Sequence, residues 1–263
     1  MSKKSVNADW IYIGNLFEIL LRMAFHVTYI IGKDHLAKLK EREEEHTTIR
    51  QIYDRLLPFF EAFEKAYINW KSAKGYYKGA TMRVENLQSE LQSQRYAKWS
   101  AAVQWLYPKD SPEFAILFPE GGLPFQKGAR DTRIVAVKTL AQQLVDYPQL
   151  AHVKDDAQTF YELMESTRFS QQRYEQNIQN ASDELHKQRQ ILVDEFYLNF
   201  LDLLKLNYKE RPNVLAFWQV NLLRSKNNAT ENEETATDDN ENIAALQREE
   251  DVPALDPETG AEM

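Results

Sequence analysis

The sequence predicts an all-α protein: an elongated antiparallel helical bundle or coiled coil with an internally duplicated long-helix unit. The first observation behind this prediction is the segment from Leu150 to Tyr208, which has neither Gly nor Pro across 59 residues. A segment of this kind is typical of one continuous helix. The second is composition, because the whole chain of 263 residues has only eight Gly and nine Pro and is 27% charged. Abundant helix formers and few helix breakers favour helices over strands.

The long segment also carries the 3.5-residue apolar period of a coiled-coil seam. A seam of this kind must pack against a partner helix, and its polar members are expected to set the register at some cost in stability. The predicted seam consists of Val153, Ala157, Phe160, Met164, Thr167, Gln171, Tyr174, Ile178, Ala181, Leu185, Gln188 and Leu192.

A third observation predicts the duplication. Residues 86–95 match residues 180–189 at five of ten positions. A second match, of residues 109–118 with residues 209–218, lies after the two long helical segments and outside their seven-residue repeat. The two offsets, 94 and 100, differ by close to two helical turns, so an insertion would roughly preserve the helix face. We therefore expect two versions of one helical unit, packed with pseudo-twofold symmetry around a shared seam. Seam positions predicted to be equivalent are Phe63 and Ala157, Ala66 and Phe160, Val84 and Ile178, Leu87 and Ala181, and Leu91 and Leu185.

The predicted division has four parts: an apolar N-terminal helix region at 1–46, a first helical unit at 47–130, a second at 131–225, and an acidic tail at 226–263. The tail has twelve acidic residues and two basic ones, which leaves a net charge of about +2 for residues 1–225. Its low apolar content predicts disorder. A nearly neutral body does not predict general nucleic-acid binding.

Local signals predict where the elements begin and end. Pro58 is expected to open the first long helix, and Gly75 and Gly79 to kink or break it. Proline and glycine between Pro108 and Gly128 predict an irregular loop of about 22 residues, and long loops are often functional. Asp131 is expected to cap the following helix, which Pro148 ends.

The apolar stretch from Trp10 to Ile31 is the first candidate interaction surface. Polar residues recur along it at helical spacing, which favours a core or subunit-interface helix over an in-plane membrane helix or a span. Because its apolar faces surround most of the helix, we expect self-association, most simply as a twofold dimer. The candidate residues are Trp10, Phe17, Leu21 and Phe25.

The Pro- and Gly-rich loop is the second candidate surface. Three interpretations are open: a connector whose Phe118 and Phe125 pack onto the end of the bundle, a partner-binding loop, or a phosphate site at a helix N-terminus. Its Lys does not directly precede Ser or Thr, so it is not a Walker loop. The candidate residues are Gly121, Gly122, Phe125, Lys127, Arg130 and Arg133.

Catalytic chemistry is weakly represented. With no Cys, disulfides, thiolate catalysis and Cys-ligated zinc are excluded. Glu43 and His46 have the i,i+3 spacing of di-iron bundles, but Asp183 and His186 are the one further pair of this kind. We therefore predict no catalytic residue, no metal and no cofactor.

The stretch from Leu117 through Gly128 to Lys138 resembles an uncharacterised family of helical bacterial proteins, over roughly residues 115–160. The resemblance implies a recurring helical fold and assigns no activity. The leading interpretation is a non-enzymatic cytoplasmic scaffold or assembly protein whose partner is another protein or a second copy. The alternatives are a membrane-peripheral assembly factor using residues 10–31, and a ligand- or metal-binding helical-bundle enzyme.

Overall fold

The computed structural model of the chain describes residues 15–206, 211–219 and 221–222, and in these residues it contains helices and no strand. The prediction of an all-α bundle is confirmed. A 3-10 helix at Leu16–Arg22 comes first. The α-helices are α1 (Phe25–Glu41), α2 (Thr47–Glu90), α3 (Tyr96–Leu106), α4 (Pro112–Leu117), α5 (Leu123–Gln126), α6 (Arg130–Gln143), α7 (Ala151–Leu206) and α8 (Arg211–Val214).

The chain forms two compact units. Within the described residues, unit 1 contains 15–72 and 179–222, and unit 2 contains 73–178. These boundaries fall inside α2 and α7 and not between helices, so they differ from the predicted division at 46, 130 and 225. The physical reason is antiparallel pairing, which brings the beginning of one long helix beside the end of the other. The predicted tail lies outside the described residues.

The core of unit 1 is built by α1, the first part of α2 and the second part of α7. Phe17 reaches this core from the 3-10 helix, and its ring lies 5.6 Å from that of Phe196 and 5.1 Å from that of Trp218. Gly32 allows α1 to approach closely, because a Cβ at this position would lie 2.7 Å from the ring of Phe60. Aromatic packing against α7 therefore holds the elements of unit 1 together.

The core of unit 2 is built by the second part of α2, by α3 to α6, and by the first part of α7. Trp99 packs edge-on against Phe160 at 5.9 Å. Gln171 on α7 is 1% exposed and donates a hydrogen bond to the hydroxyl of Thr81 on α2, at 3.0 Å. A buried amide needs such a partner, so this pair opposes any shift of α7 along α2.

In both units α2 and α7 run antiparallel. In unit 2, Thr81 meets Gln171 and Arg95 meets Asp156. In unit 1, Arg55 meets Asn199 at 2.7 Å, and Phe25 contacts both Trp70 and His186. The predicted seam is confirmed, since each of its twelve residues is buried or half-buried.

Burial also agrees with the predicted duplication. Leu91 and Leu185 are both fully buried, and so are Phe63 and Ala157. The second match, between residues 109–118 and 209–218, is also buried in both copies. In the first copy Phe114, Leu117 and Phe118 lie in the core of unit 2. In the second copy Val214, Phe217 and Trp218 lie in the core of unit 1. Each unit thus combines the beginning of one sequence half with the end of the other.

Two predictions about the first long helix were wrong. Pro58 does not open a helix but lies inside α2, which begins at Thr47. Pro58 is exposed between the buried Leu56 and Phe60, so water can satisfy the backbone carbonyl that it deprives of a donor. Gly75 and Gly79 do not break α2 either.

The irregularity in this long helix lies instead at Leu91–Arg95, which forms a π-helical turn. Leu91 and Trp99 are both buried although they are eight residues apart. A seven-residue repeat from Leu91 would bring Lys98 to the core, and the extra residue of the π turn brings Trp99 there instead.

The predicted irregular loop contains α4 and α5, and the cap of α6 also differs from the prediction. Ser111 caps α4 by accepting from the backbone of Phe114, and Pro112 occupies the first turn. The N-cap of α6 is Ala129, which provides no side-chain cap. Asp131 lies in the first turn and accepts from Arg168 at 3.3 Å.

The side chain of His35 is titratable and lies fully buried in unit 1. Its Nδ1 donates to the carbonyl of Phe217 at 2.9 Å, and its ring stacks on Trp218 at 4.1 Å. Its Nε2 is buried and has no hydrogen-bond partner among the described residues. Burial lowers the pKa of His35 from 6.5 to about 3, although the hydrogen bond to Phe217 opposes this change. His35 is therefore neutral in the folded chain at neutral pH.

This burial predicts acid sensitivity. Below pH 6.5 the unfolded chain protonates His35 and the folded chain does not, so the free energy of unfolding falls by about 1.4 kcal/mol per pH unit down to about pH 3. Denaturant unfolding at pH 6.5 and pH 4.5 measures the loss. Between these two pH values, the free energy of unfolding should fall by about 2 to 3 kcal/mol less in the His35→Gln protein than in the wild type. The matched control, His46→Gln, changes an exposed histidine and should follow the wild type; equal losses in all three proteins would refute the assignment.

Candidate interaction surfaces

The residues of the predicted N-terminal interface pack inside unit 1. Phe17 is fully buried, and Leu21 and Phe25 are half-buried against the same core. Phe17 is therefore not surplus apolar surface for another subunit, and Leu21 and Phe25 are partly covered by the core. Self-association through this stretch stays a prediction. The stretch is also not one helix, because the 3-10 helix ends at Arg22 and α1 begins at Phe25. Trp10 lies outside the described residues.

Among the described helices, none combines the length and the apolar character that a membrane span needs.

The connector between α3 and α6 packs as one of its three interpretations predicted. Phe125 stacks on Tyr96 at 5.2 Å, and Phe118 contacts the same ring edge-on at 5.7 Å. Gly122 lies against this ring, so that a Cβ there would be 2.6 Å from a carbon of Tyr96. Gly121 and Gly128 have φ values of 61° and 100°, which side chains disfavour. The connector is therefore a folded part of unit 2.

The cations predicted for a phosphate site are only partly available. Lys127 is exposed, but Arg130 lies 4.0 Å from Glu85. Arg133 is half-buried, and burial together with the charge of Arg130 lowers its pKa. The carboxylate of Asp131 occupies the first turn of α6, where a bound anion would otherwise gain most from the helix dipole. This geometry opposes the phosphate interpretation.

The most connected polar group of unit 2 serves packing between helices. Asp156 on α7 accepts from Arg95 at 2.6 Å and from the indole nitrogen of Trp99 at 2.8 Å. Burial alone raises the pKa of Asp156, but these hydrogen bonds and the charge of Arg95 outweigh it and hold the pKa below its ordinary value. Asp156 is therefore ionised near neutral pH and holds α3 against α7.

The described part of the chain contains no group of three or more His, Asp or Glu that could hold a metal ion. The predicted pair has other contacts: Glu43 accepts from Lys40, and His46 accepts from the backbone of Thr48. An open groove of unit 1 is lined by Lys38, Leu215, Trp218, Gln219, Asn221 and Leu222. Lys38, the titratable side chain of this set, is ion-paired with Asp34 at 2.8 Å.

An exposed apolar surface at one end of unit 2 was not predicted. Trp105 is 87% exposed, Leu106 is 43% exposed and Val145 is 66% exposed. All three lie within two residues of the edge-on contact between Tyr107 and Tyr147, whose rings are 5.5 Å apart. We call Trp105, Leu106 and Val145 the end surface.

The sequence contains a signal that could have revealed the end surface. Trp105 lies two residues after the buried Val103, so it falls outside the buried face of α3. A nearly fully exposed apolar side chain that has other apolar side chains beside it is typical of an interaction surface.

Comparison with protein-family models, with curated proteins and with solved structures finds no match to this chain. The resemblance to a family of helical bacterial proteins stays a prediction.

Two glycines of unit 2 provide a matched test of the connector. Gly122→Ala should lower the free energy of unfolding by about 1 to 3 kcal/mol, because its Cβ would overlap the Tyr96 ring held between Phe118 and Phe125. Gly75→Ala should raise it by about 1 kcal/mol, since that Cβ would meet open space on a helix. Denaturant unfolding measures both, and a Gly122→Ala protein as stable as the wild type would contradict this packing.

Proposed function

We propose that the chain is a non-enzymatic helical scaffold that binds another protein through the end surface. The observation that carries the proposal is the exposure of Trp105, which leaves nearly all of its indole in water. Tryptophan is among the residues that most often dominate the binding energy of protein interfaces. Two further apolar side chains, Leu106 and Val145, lie at the same end of unit 2.

The surroundings of the end surface support a rigid binding site. The Tyr107–Tyr147 contact joins the segments that carry its three residues, so binding would not have to order a flexible loop. Polar side chains in the cores, such as Gln171 and Asn199, bond to neighbouring helices. The partner is another protein or a second copy of the chain, and the cytoplasmic location stays a prediction.

The alternative functions have less support. The membrane-peripheral interpretation depended on an apolar N-terminal helix with surplus surface, and Phe17, Leu21 and Phe25 are packed in unit 1. The enzyme interpretation has no observed grouping of side chains in its favour within the described residues. Sedimentation with liposomes and metal analysis would test these alternatives directly.

Site-specific photo-crosslinking tests the proposed function. A benzophenone amino acid replaces Trp105 in cells that express the chain, and the matched control carries it at Ser166, an exposed position of α7. We expect a discrete crosslinked product at position 105 and not at 166. A product of twice 30.8 kDa identifies a second copy, and another mass identifies a different protein.

The identified partner is then titrated against purified chains. Trp105→Ala should weaken binding by about 30-fold or more, as expected for a hot-spot tryptophan, with an unchanged free energy of unfolding because the side chain is exposed. No discrete product at 105, equal products at both positions, or unchanged affinity of the Trp105→Ala protein would each contradict the proposal.

A further inference from the structure

A second exposed surface of unit 2 lies on α2, on the side away from the core. It consists of Gly75, Tyr76, Lys78, Gly79, Met82 and Arg83, and we call it the basic face. Tyr76 lies at its edge, where its ring stacks on that of Tyr174 of α7 at 5.7 Å. Tyr76 is 64% exposed and Met82 is 53% exposed, whereas Ala80 and Val84 on the other side of the helix are buried. The basic face is separate from the end surface, whose residues belong to α3 and to the segment after α6.

Charge is the first property of the basic face. From Lys65 to Arg83 the sequence has five basic residues and no acidic residue. Lys78 and Arg83 form no ion pair within the described part of the chain, and the next acidic residue, Glu85, is engaged by Arg130. Burial and the charge of Lys78 lower the pKa of Lys74, which lies one turn before Lys78. The basic face therefore carries positive charge without a neutralising partner from its own helix.

At two positions of the basic face, Gly75 and Gly79, no side chain covers the helix backbone. Gly75 and Gly79 are one helical turn apart, and a Cβ at either would have no heavy atom within 4 Å. In a helix interior each glycine lowers the free energy of unfolding by about 1 kcal/mol relative to alanine. Among the described residues, no contact requires the small size of Gly75 or Gly79. Small residues let another segment approach the helix backbone, where the flanking Lys78 and Arg83 can reach its carboxylates.

The chain contains a segment of complementary charge. Residues 226–263 have twelve acidic and two basic residues, including Glu231, Glu233, Glu234, Asp238, Asp239 and Glu241 within eleven positions. The 41 residues after Leu222 can extend to about 140 Å, whereas α7 spans about 84 Å. Tethering also gives the segment a millimolar effective concentration at the surfaces that it reaches. Weak contacts between exposed charges are then sufficient to populate a bound state.

We propose that the acidic segment 226–263 binds the basic face of α2 in the same chain and covers it. The segment aligns its carboxylates with Lys74, Lys78 and Arg83, and passes over Gly75 and Gly79. The covered face is withheld from other anionic molecules, so the segment acts as an internal competitor for them. The attraction is electrostatic and weakens with ionic strength.

Carbodiimide crosslinking of the full chain tests this proposal, because it joins a lysine amine to a carboxylate without a spacer. Mass spectrometry should find residues 226–263 joined mainly to Lys74 and Lys78. The yield should fall at least fivefold from 20 mM to 500 mM NaCl. It should not change between 1 and 50 µM protein, since the contact is intramolecular.

Charge reversal provides the matched comparison. Lys78→Glu with Arg83→Glu should lower the yield at Lys74 at least fivefold. Lys127→Glu with Lys187→Glu makes the same charge change at exposed positions elsewhere and should leave that yield unchanged. Circular dichroism checks that both variants keep the helical content of the wild type.

Three outcomes would overturn the proposal. Crosslinks spread evenly over exposed lysines such as Lys98 and Lys205 would show no preferred site. A crosslinking yield that does not change with NaCl concentration, or that is the same in the Lys78→Glu, Arg83→Glu protein, would exclude the electrostatic contact. Yields that rise with protein concentration would show that the segment reaches a second copy and not its own α2.

Discussion

The antiparallel packing of α2 against α7 is the interaction on which both compact units depend. Long helices of this polarity are stable only when their apolar stripe is covered, and each of these helices covers the other within both units. The other elements complete these pairs: α1 and the segment from Val214 to Trp218 in unit 1, α6 and the segment from Phe114 to Phe118 in unit 2. Buried polar contacts, such as that of Gln171 with Thr81, then select one register among the apolar alternatives.

Much of this arrangement could be predicted because it depends on the local spacing of apolar residues along the chain. The span of α7, its buried seam and the equivalence of Leu91 with Leu185 all follow from apolar spacing. The continuity of α2 could not be predicted in this way, because packing on both sides outweighs the local cost of Pro58 and Gly75. The π turn left a signal in the eight-residue spacing from Leu91 to Trp99.

The candidate surfaces were harder to predict than the fold. Packing of Phe125 followed from its aromatic character, but the burial of Phe17 depends on Phe196 and Trp218, which are about 180 to 200 residues away in the chain. The exposure of Trp105, in contrast, left a signal in the sequence, because Trp105 does not follow the helical spacing that joins Trp99 to Val103. The end surface and the basic face differ in chemistry, since the end surface is apolar and the basic face is positively charged.

The register of α2 and α7 can be measured directly, because the chain has no native cysteine. Cysteines at Thr81 and Gln171 should be joined rapidly by a short bis-maleimide within one chain, giving a crosslinked product of 30.8 kDa. Cysteines at Thr81 and Gln158 should not, because Gln158 lies about 20 Å further along α7. Equal crosslinking of the two pairs, or a product only at twice the mass, would contradict the antiparallel intramolecular pairing.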